Sequence, residues 1–416
     1  MMMQGFTNYE SMFAQSIGVE EPWRIEKTEF LEERREVHVT VIARKTAKYP
    51  CPECGELCDR YDDEEKERTW RHGDVVFFPC FVHCRRPRIR CGEHGTRVVT
   101  APWARRGSRY TLLFESYTML LVESMPVENA RKLLRISHTS ATRILRHWVF
   151  KAVAEDNLSE VCALCIDETS FKRGQSYVTV ISDAVARRVI YADEGRSAAN
   201  VESFSMQLIE KGGDCEKIRQ VACDMSGAYL SGVDLCFPKA TVTIDRFHVK
   251  QLMLKAMDQV RREEQGKQRS RRRDAGKKLL MIPEGRMTDQ QAEKLQAISK
   301  EFPKTGRAFR MVQSLDDMYR CDRYEDGKVV FDKLISWLRR SRLEPMKQVA
   351  NTLKKYKLEI LSYFFHRLTN AIAEGINSII QSAKRRARGF RTIEGYVAAI
   401  FLAVGKLKLA CPPLFS

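Results

Sequence analysis

No stretch of this chain is apolar over the roughly 18–20 residues needed to cross a bilayer, and no basic segment followed by an apolar core opens it. Neither a membrane span nor a secretory leader is therefore expected, and a cytoplasmic location is. No period marks a stacked-repeat array. Acid is in deficit: 71 Lys and Arg stand against 54 Asp and Glu, a net charge of +17. That balance points to a polyanionic partner, nucleic acid first. The apolar fraction, 44%, is ordinary, so most of the chain can fold. Its 416 residues exceed one core, and two to four domains are expected.

Thirteen cysteines in a chain with no sign of export read as thiols or metal ligands rather than disulfides. Cys51-Pro-Glu-Cys54-Gly and Cys91-Gly-Glu-His94-Gly are two knuckles, each offering two ligands at two-residue spacing. Four such donors suit tetrahedral Zn²⁺ in a closed, structural site. Cys58, Cys80, His83 and Cys84 lie in the same segment, so the set is open, with Cys51, Cys54, Cys91 and His94 preferred because both pairs sit in turns. The stretch between is rich in β-formers, as in a zinc ribbon. We assign 1–50 to a lead-in, in which Glu36–Ala43 alternates like a strand, and 51–100 to the zinc-binding region.

Residues 105–155 read as three helices, Tyr110–Glu123, a second begun by Pro126, and Ala141–Lys151 after the turn Ser137–Ser140. Helix, short turn and basic helix form the helix-turn-helix pattern. Arg143, Arg146 and His147 fall on or near one face and are candidate DNA contacts.

From 160 to 405 strands and helices alternate. Val161–Ile166 is an apolar run ending on Asp167 and Glu168; Tyr177–Ile181 and Arg188–Tyr191 follow as strands. A helix over Ala198–Lys211, a strand ending at Asp224, a helix over Gly227–Phe237 and a strand ending at Asp245 complete the series. The expected fold is an α/β RNase H-like core, with the first and fourth strands adjacent so that Asp167 and Asp224 face one point. A charged helical insertion is expected at about 255–365, including the basic run Arg261–Lys278. Glu374 then lies on a helix whose apolar face is Ile372, Ile376, Ile379, Ile380 and Ala383, bracketed by Asn370 and Asn377. Asp167, Asp224 and Glu374 make an oxygen-rich set suited to Mg²⁺ or Mn²⁺. Two such ions about 4 Å apart serve in-line phosphoryl transfer. Without metal, such acids repel and one takes up a proton. Asp245 and Glu168 stand in reserve, His248 could orient a phosphate or a water, and Lys384, Arg385, Arg386 and Arg388 are candidate phosphate contacts.

Taken together, these phrases resemble the ISL3 family of bacterial insertion-sequence transposases over roughly residues 50–405. They are Cys51-Pro-Glu-Cys54-Gly, Trp70-Arg-His, Pro87-Arg-Ile-Arg-Cys91, Pro102-Trp-Ala, Ile166-Asp-Glu, Asp224-Met-Ser-Gly-Ala-Tyr229, Asp245-Arg-Phe-His248 and Glu374-Gly-Ile-Asn377-Ser. The resemblance implies a DDE transposase in which Asp167, Asp224 and Glu374 are the triad. The implied partners are double-stranded DNA, as terminal inverted repeats and as target, and a second copy or more of the chain during synapsis. The implied chemistry is hydrolysis at the element ends, then attack of the freed 3′-hydroxyl on target DNA. Such families carry Lys or Arg seven residues after the Glu; here Gln381 stands there, and Lys384 is the nearest cation. The competing reading is a catalytically silent zinc and helix-turn-helix regulator descended from a transposase. A structure-specific nuclease on the same fold fits the front end less well.

Overall fold

Alternation of apolar and polar residues forces the first sheet. Val37, Val39, Val41 and Ala43 turn inward along one strand while their neighbours stay half-buried. The computed structural model describes residues 9–172, 176–266, 271–366 and 371–411. Gly174, Asn370 and part of the basic run, residues 267–270, lie outside them. The chain divides into two compact units between Ala152 and Val153, the segment from Lys408 onward belonging to the first.

The first unit opens with α1 (Tyr9–Ile17), β1 (Trp23–Leu31), β2 (Glu36–Ala43), β3 (Lys48–Pro50), β4 (Leu57–Asp63), β5 (Arg68–Val75), β6 (Phe78–Cys84), β7 (Pro87–Cys91) and β8 (Gly95–Val98). They make two four-stranded sheets, ordered β1-β2-β6-β5 and β3-β4-β7-β8. The supposed lead-in is thus no separate piece, since β2 pairs parallel with β6. Trp103 anchors the core, its ring edge-on to Trp23 at 5.1 Å and to Trp70 at 5.7 Å.

Three helices follow: α2 (Leu112–Ser124), α3 (Val127–Leu134) and α4 (His138–Ala154). Thr111 caps α2. The turn between α3 and α4 passes through Arg135 in the left-handed region, and Ser137 Oγ accepts the Ser140 N–H at 3.1 Å. α4 therefore starts three residues before the expected Ala141, because Ser137 already supplies an acceptor for a first-turn donor. Glu115 of α2 is fully buried. It accepts from Arg105 Nε (2.8 and 3.0 Å), Ser108 Oγ (2.6 Å) and Trp148 Nε1 (2.9 Å), tying the preceding loop to α4.

The second unit begins with β9 (Ala163–Ser170), β10 (Tyr177–Asp183), β11 (Arg188–Glu194), α5 (Ala198–Glu210), β12 (Gln220–Cys223), α6 (Gly227–Cys236) and β13 (Thr241–Ile244). The sheet order is β11-β10-β9-β12-β13, with the first three strands antiparallel and β12 parallel to both neighbours. One face is packed by α5 and α6 through Leu164, Ile166, Ile190, Phe204, Val221 and Phe237. The other carries small residues, Ala163, Cys165 and Ala222. Ala373 and Ile372 of a late helix rest there, at the close approach that small side chains permit.

Between β13 and that helix run α7 (Arg246–Gln265), α8 (Arg271–Leu280), α9 (Asp289–Glu301), α10 (Pro303–Arg320), α11 (Tyr324–Arg340), α12 (Glu344–Lys355), α13 (Lys357–Leu361) and α14 (Tyr363–His366). Their core, which includes Met253, Phe309, Leu315, Phe331, Leu338 and Met346, is continuous with Ile244 of the sheet. The chain closes with α15 (Ala371–Arg386) and α16 (Ile393–Val404). Among the described residues no helix is long and apolar enough to cross a membrane.

Removing a partner from a buried, multiply bonded ion pair leaves a charge uncompensated, at about 3–5 kcal/mol. Glu115→Ala is accordingly expected to lower the unfolding free energy of the first unit by about that amount, read by urea titration of Trp fluorescence. A change below roughly 1 kcal/mol would show that the latch contributes little.

Candidate functional site

The ladder lengths position the first acid. β9 pairs with β12 only from Ala163 to Cys165, whereas its pairing with β10 continues to Ser170. Asp167, expected to end its strand, instead sits inside β9 opposite Val180, two residues beyond the last β12 pair. It is a strand end on one side only, because β12 is four residues long.

α15 reaches this half of β9 with a row of polar side chains. Asn377 Nδ2 donates to Asp167 Oδ2 at 2.6 Å, and Gln381 Nε2 to Thr169 Oγ1 at 2.7 Å. Lys384 Nζ donates to the Ser170 carbonyl and, at 3.3 Å, to its hydroxyl. Spacings of four and three put these groups on one helical face. Thr169 Oγ1 also meets the Tyr396 hydroxyl of α16 at 3.1 Å. Glu374 lies one turn before Asn377 on the same face.

Asp167 also accepts the Glu168 N–H at 2.7 Å through its other oxygen. Burial, the largest effect, pushes its carboxyl up to about 6; Asp245 and Asp224 raise it further, while the Glu168 N–H and His248 pull it down. Asp224, after β12, accepts the Ser226 N–H at 2.9 Å. Asp245 is buried, caps α7 by accepting the Phe247 N–H, and lies 3.8 Å from His248 Nε2. Glu374 is exposed, yet partial desolvation and then Asp245 hold its carboxyl above the usual range, with Arg246 and His248 opposing. Asp245, marked from sequence only as a reserve, thus acts on both Asp167 and Glu374.

Asp167, Asp224 and Glu374 do not form a set whose ligand atoms all lie within 4.8 Å of one another. Among the described residues, the sets of ligand atoms mutually within 4.8 Å are in the first unit. Their chemistry nonetheless suits a hard cation: the acids crowd a buried carboxylate, and the amide oxygen of Asn377 is buried with no hydrogen-bond partner among the described residues.

The cysteine alternatives are decided by geometry. Cys51, Cys54, Cys91 and His94 bring four donor atoms together within 4.8 Å. The Cys54–Cys91 sulfurs are 3.7 Å apart, and His94 Nδ1 is 3.6 Å from Cys91 Sγ and 4.0 Å from Cys51 Sγ. A tetrahedron with Zn–S of about 2.3 Å has S···S edges of about 3.8 Å. The Cys54 N–H, then the Glu53 N–H, hold the Cys51 thiol below its ordinary value, while, against the Glu56 N–H, desolvation and the neighbouring Cys91 and Cys51 sulfurs raise that of Cys54, as crowded thiols without a cation do. Cys80 and Cys84 are buried strand residues whose thiols burial pushes up to about 12. His83 bonds His38 at 2.8 Å, away from the knuckles. Cys58 joins a second, three-donor set with Glu56 and Cys91, which lacks a fourth ligand.

On α4, Arg143 is exposed and Arg146 half-exposed on the side opposite the buried Ile144, Leu145 and Trp148. His147, one turn after Arg143 and half-buried like Arg146, meets the Trp148 ring edge-on at 5.1 Å, and burial lowers its pKa. Arg385, Arg386 and Arg388 are exposed, whereas Lys384 is occupied by Ser170. Sequence reasoning missed Thr169, Tyr396 and Ser170 as docking partners of α15 and α16, since nothing local marks a contact across two hundred residues.

Comparison with known proteins gives a consistent picture. The family model for ISL3-type DDE transposases, described as transposase, matches residues 164–400. The helix-turn-helix domain of transposase family ISL3 matches 99–149, and the zinc-finger of transposases IS204, IS1001, IS1096 and IS1165 matches 48–94. The transposase for insertion sequence element IS1557 of Mycobacterium tuberculosis is 27% identical over 94% of this chain and 95% of its own. That of IS1001 of Bordetella parapertussis is 25% identical over 93% and 96%.

A raised carboxyl pKa favours the folded state below 3.8 and loses that advantage as pH rises through about 6. In metal-free protein the stability of Asp167→Asn relative to the parent should therefore improve between pH 4 and pH 7 by up to about 3 kcal/mol. Denaturant titrations across that range read it; a difference independent of pH would place Asp167 in ordinary solvent.

Proposed function

The chain belongs to the ISL3 family of transposases, and from that premise we propose that Asp167, Asp224 and Glu374 are the acids with which it cuts and joins DNA at the ends of an insertion sequence. The observation that carries this reading is the polar row of α15 on β9, which sets Glu374 one turn from the Asn377 that holds Asp167. The antiparallel-then-parallel sheet order supports an RNase H-like core, and α8–α14, between β13 and α15, are its helical insertion.

Mg²⁺ or Mn²⁺, when bound, supplies Lewis-acid activation of the attacking oxygen and charge stabilisation at the leaving one. Asp167, Asp224 and Glu374 would hold it. Asn377 fixes one Asp167 oxygen and the Glu168 N–H the other, so the carboxylate cannot rotate freely. Asp245 orients His248 beside the acids from the first turn of α7. A ring N–H of His248 can donate to a phosphate oxygen. The attacking group is water in the first step and a terminal 3′-hydroxyl in the second; each displacement breaks one phosphodiester P–O bond as it makes another.

In the first unit, Cys51, Cys54, Cys91 and His94 hold a structural Zn²⁺. α4 presents Arg143, Arg146 and, one turn after Arg143, His147 to duplex DNA of the terminal repeat. Synapsis of two ends calls for at least a dimer.

Asp167→Asn, Asp224→Asn and Glu374→Gln should each lower Mg²⁺-dependent nicking of a terminal-repeat duplex by roughly 10³-fold or more, with gel-shift affinity retained. A variant that nicks at the parent rate removes that residue from the triad. Elemental analysis should find one zinc per chain, lost in Cys91→Ser together with protease resistance of residues 48–94. Retention of zinc in that variant would reassign the ligands.

A further inference from the structure

A cavity of about 350 Å³ opens beside Asp224, on the side where α7 faces the start of α6. Its wall on α7 is formed by His248, Gln251, Leu252 and Lys255, whose spacing of three, four and seven is one helical face. Met225 completes an apolar floor with Leu252, and Arg196 enters from the loop after β11. The cavity lining therefore combines two cations, apolar side chains and the amide of Gln251.

Three other cations of α7 are paired within the protein. Lys250 is paired with Asp316 at 2.6 Å, and Arg261 and Arg262 both bind Asp258. Lys255 is exposed and makes no ion pair among the described residues. Arg196 reaches Glu168 only at 3.5 Å and keeps more than half of its side chain in solvent. Two cations are thus left facing the cavity, next to a carboxylate read as catalytic.

We propose that this cavity is a subsite for one unpaired nucleotide of the DNA strand flanking the cut, with its phosphate between Lys255 and Arg196 and its base on Leu252 and Met225 against Gln251. The inference rests on the reading of Asp224 as a catalytic acid. The volume lies at the lower end of what a small ligand fills, about 300–1,000 Å³: one nucleotide fits, and a base pair with both backbones does not. An extruded or single-stranded base gains from apolar contact and from an amide that can meet its edge. A backbone phosphate gains from the Lys255 ammonium, which has no carboxylate to give up among the described residues, and from the Arg196 guanidinium, which would share its charge between Glu168 and the phosphate.

The test compares two duplexes of the terminal repeat, one flush at the element end and one with a short single-stranded extension into the flank. Binding is read by fluorescence anisotropy without divalent metal. Lys255→Ala should weaken binding of the extended duplex by roughly five- to tenfold and reduce its salt slope by ~0.7, leaving the flush duplex within about twofold. An abasic residue at the first unpaired position should weaken parent binding as well. Equal loss on both duplexes, or on neither, overturns the subsite; indifference to the abasic change overturns the seat for the base. The triad reading is judged separately by nicking: its failure appears as an active Asp167→Asn, whatever Lys255→Ala does.

Discussion

Everything at the acid site depends on a strand that runs longer on one side than on the other. β9 loses β12 after Cys165 and keeps β10 to Ser170. The open edge that results is what α15 covers. Three side chains one and two turns apart satisfy it: Asn377 at Asp167, Gln381 at Thr169 and Lys384 at the Ser170 carbonyl. An uncovered edge with a buried acid would leave polar groups unsatisfied. Here the same contacts that close the edge also set the height of Glu374 above the sheet. The cation expected at the seventh position after Glu374 is replaced by a neutral amide, and that amide fastens α15 to β9 through Thr169.

Much of this was legible in the residues. Alternation located the strands within a few positions, because one face of each must be apolar. The two knuckles were legible because zinc fixes its ligand spacing; what sequence could not do was exclude Cys80 and Cys84, which join no set of three donors within 4.8 Å among the described residues. The place of Asp167 inside its strand was not legible, since it follows from the length of β12, fifty residues later. The contacts of His147 and Lys384 were not legible either: a tryptophan on the same helix lies against one and a carbonyl on a distant strand accepts from the other, and neither neighbour is marked by local pattern.

The helices α7–α14 form a core of their own, yet Ile244 joins it to the sheet, and α7 starts directly on Asp245. The stretch is therefore continuous with the acids' scaffold rather than a loose appendage. Its carboxylates Asp258 and Asp316 consume cations of α7 that would otherwise add to the positive field. The large positive balance of the whole chain is in this way sharpened into a few sites where charge stays available.

The order in which the acids occur along the chain has a consequence for biosynthesis. The knuckles and α4 leave the ribosome first, then the five strands with Asp167, Asp224 and Asp245, and α15 only after eight further helices. Domains fold as units in the order they emerge, at about 5–20 residues per second. On the proposed triad, a nascent or prematurely released polypeptide would hold the helix-turn-helix and two of the acids but not the third, so the capacity to break DNA would arrive last, and truncated products would be binders without cutting power.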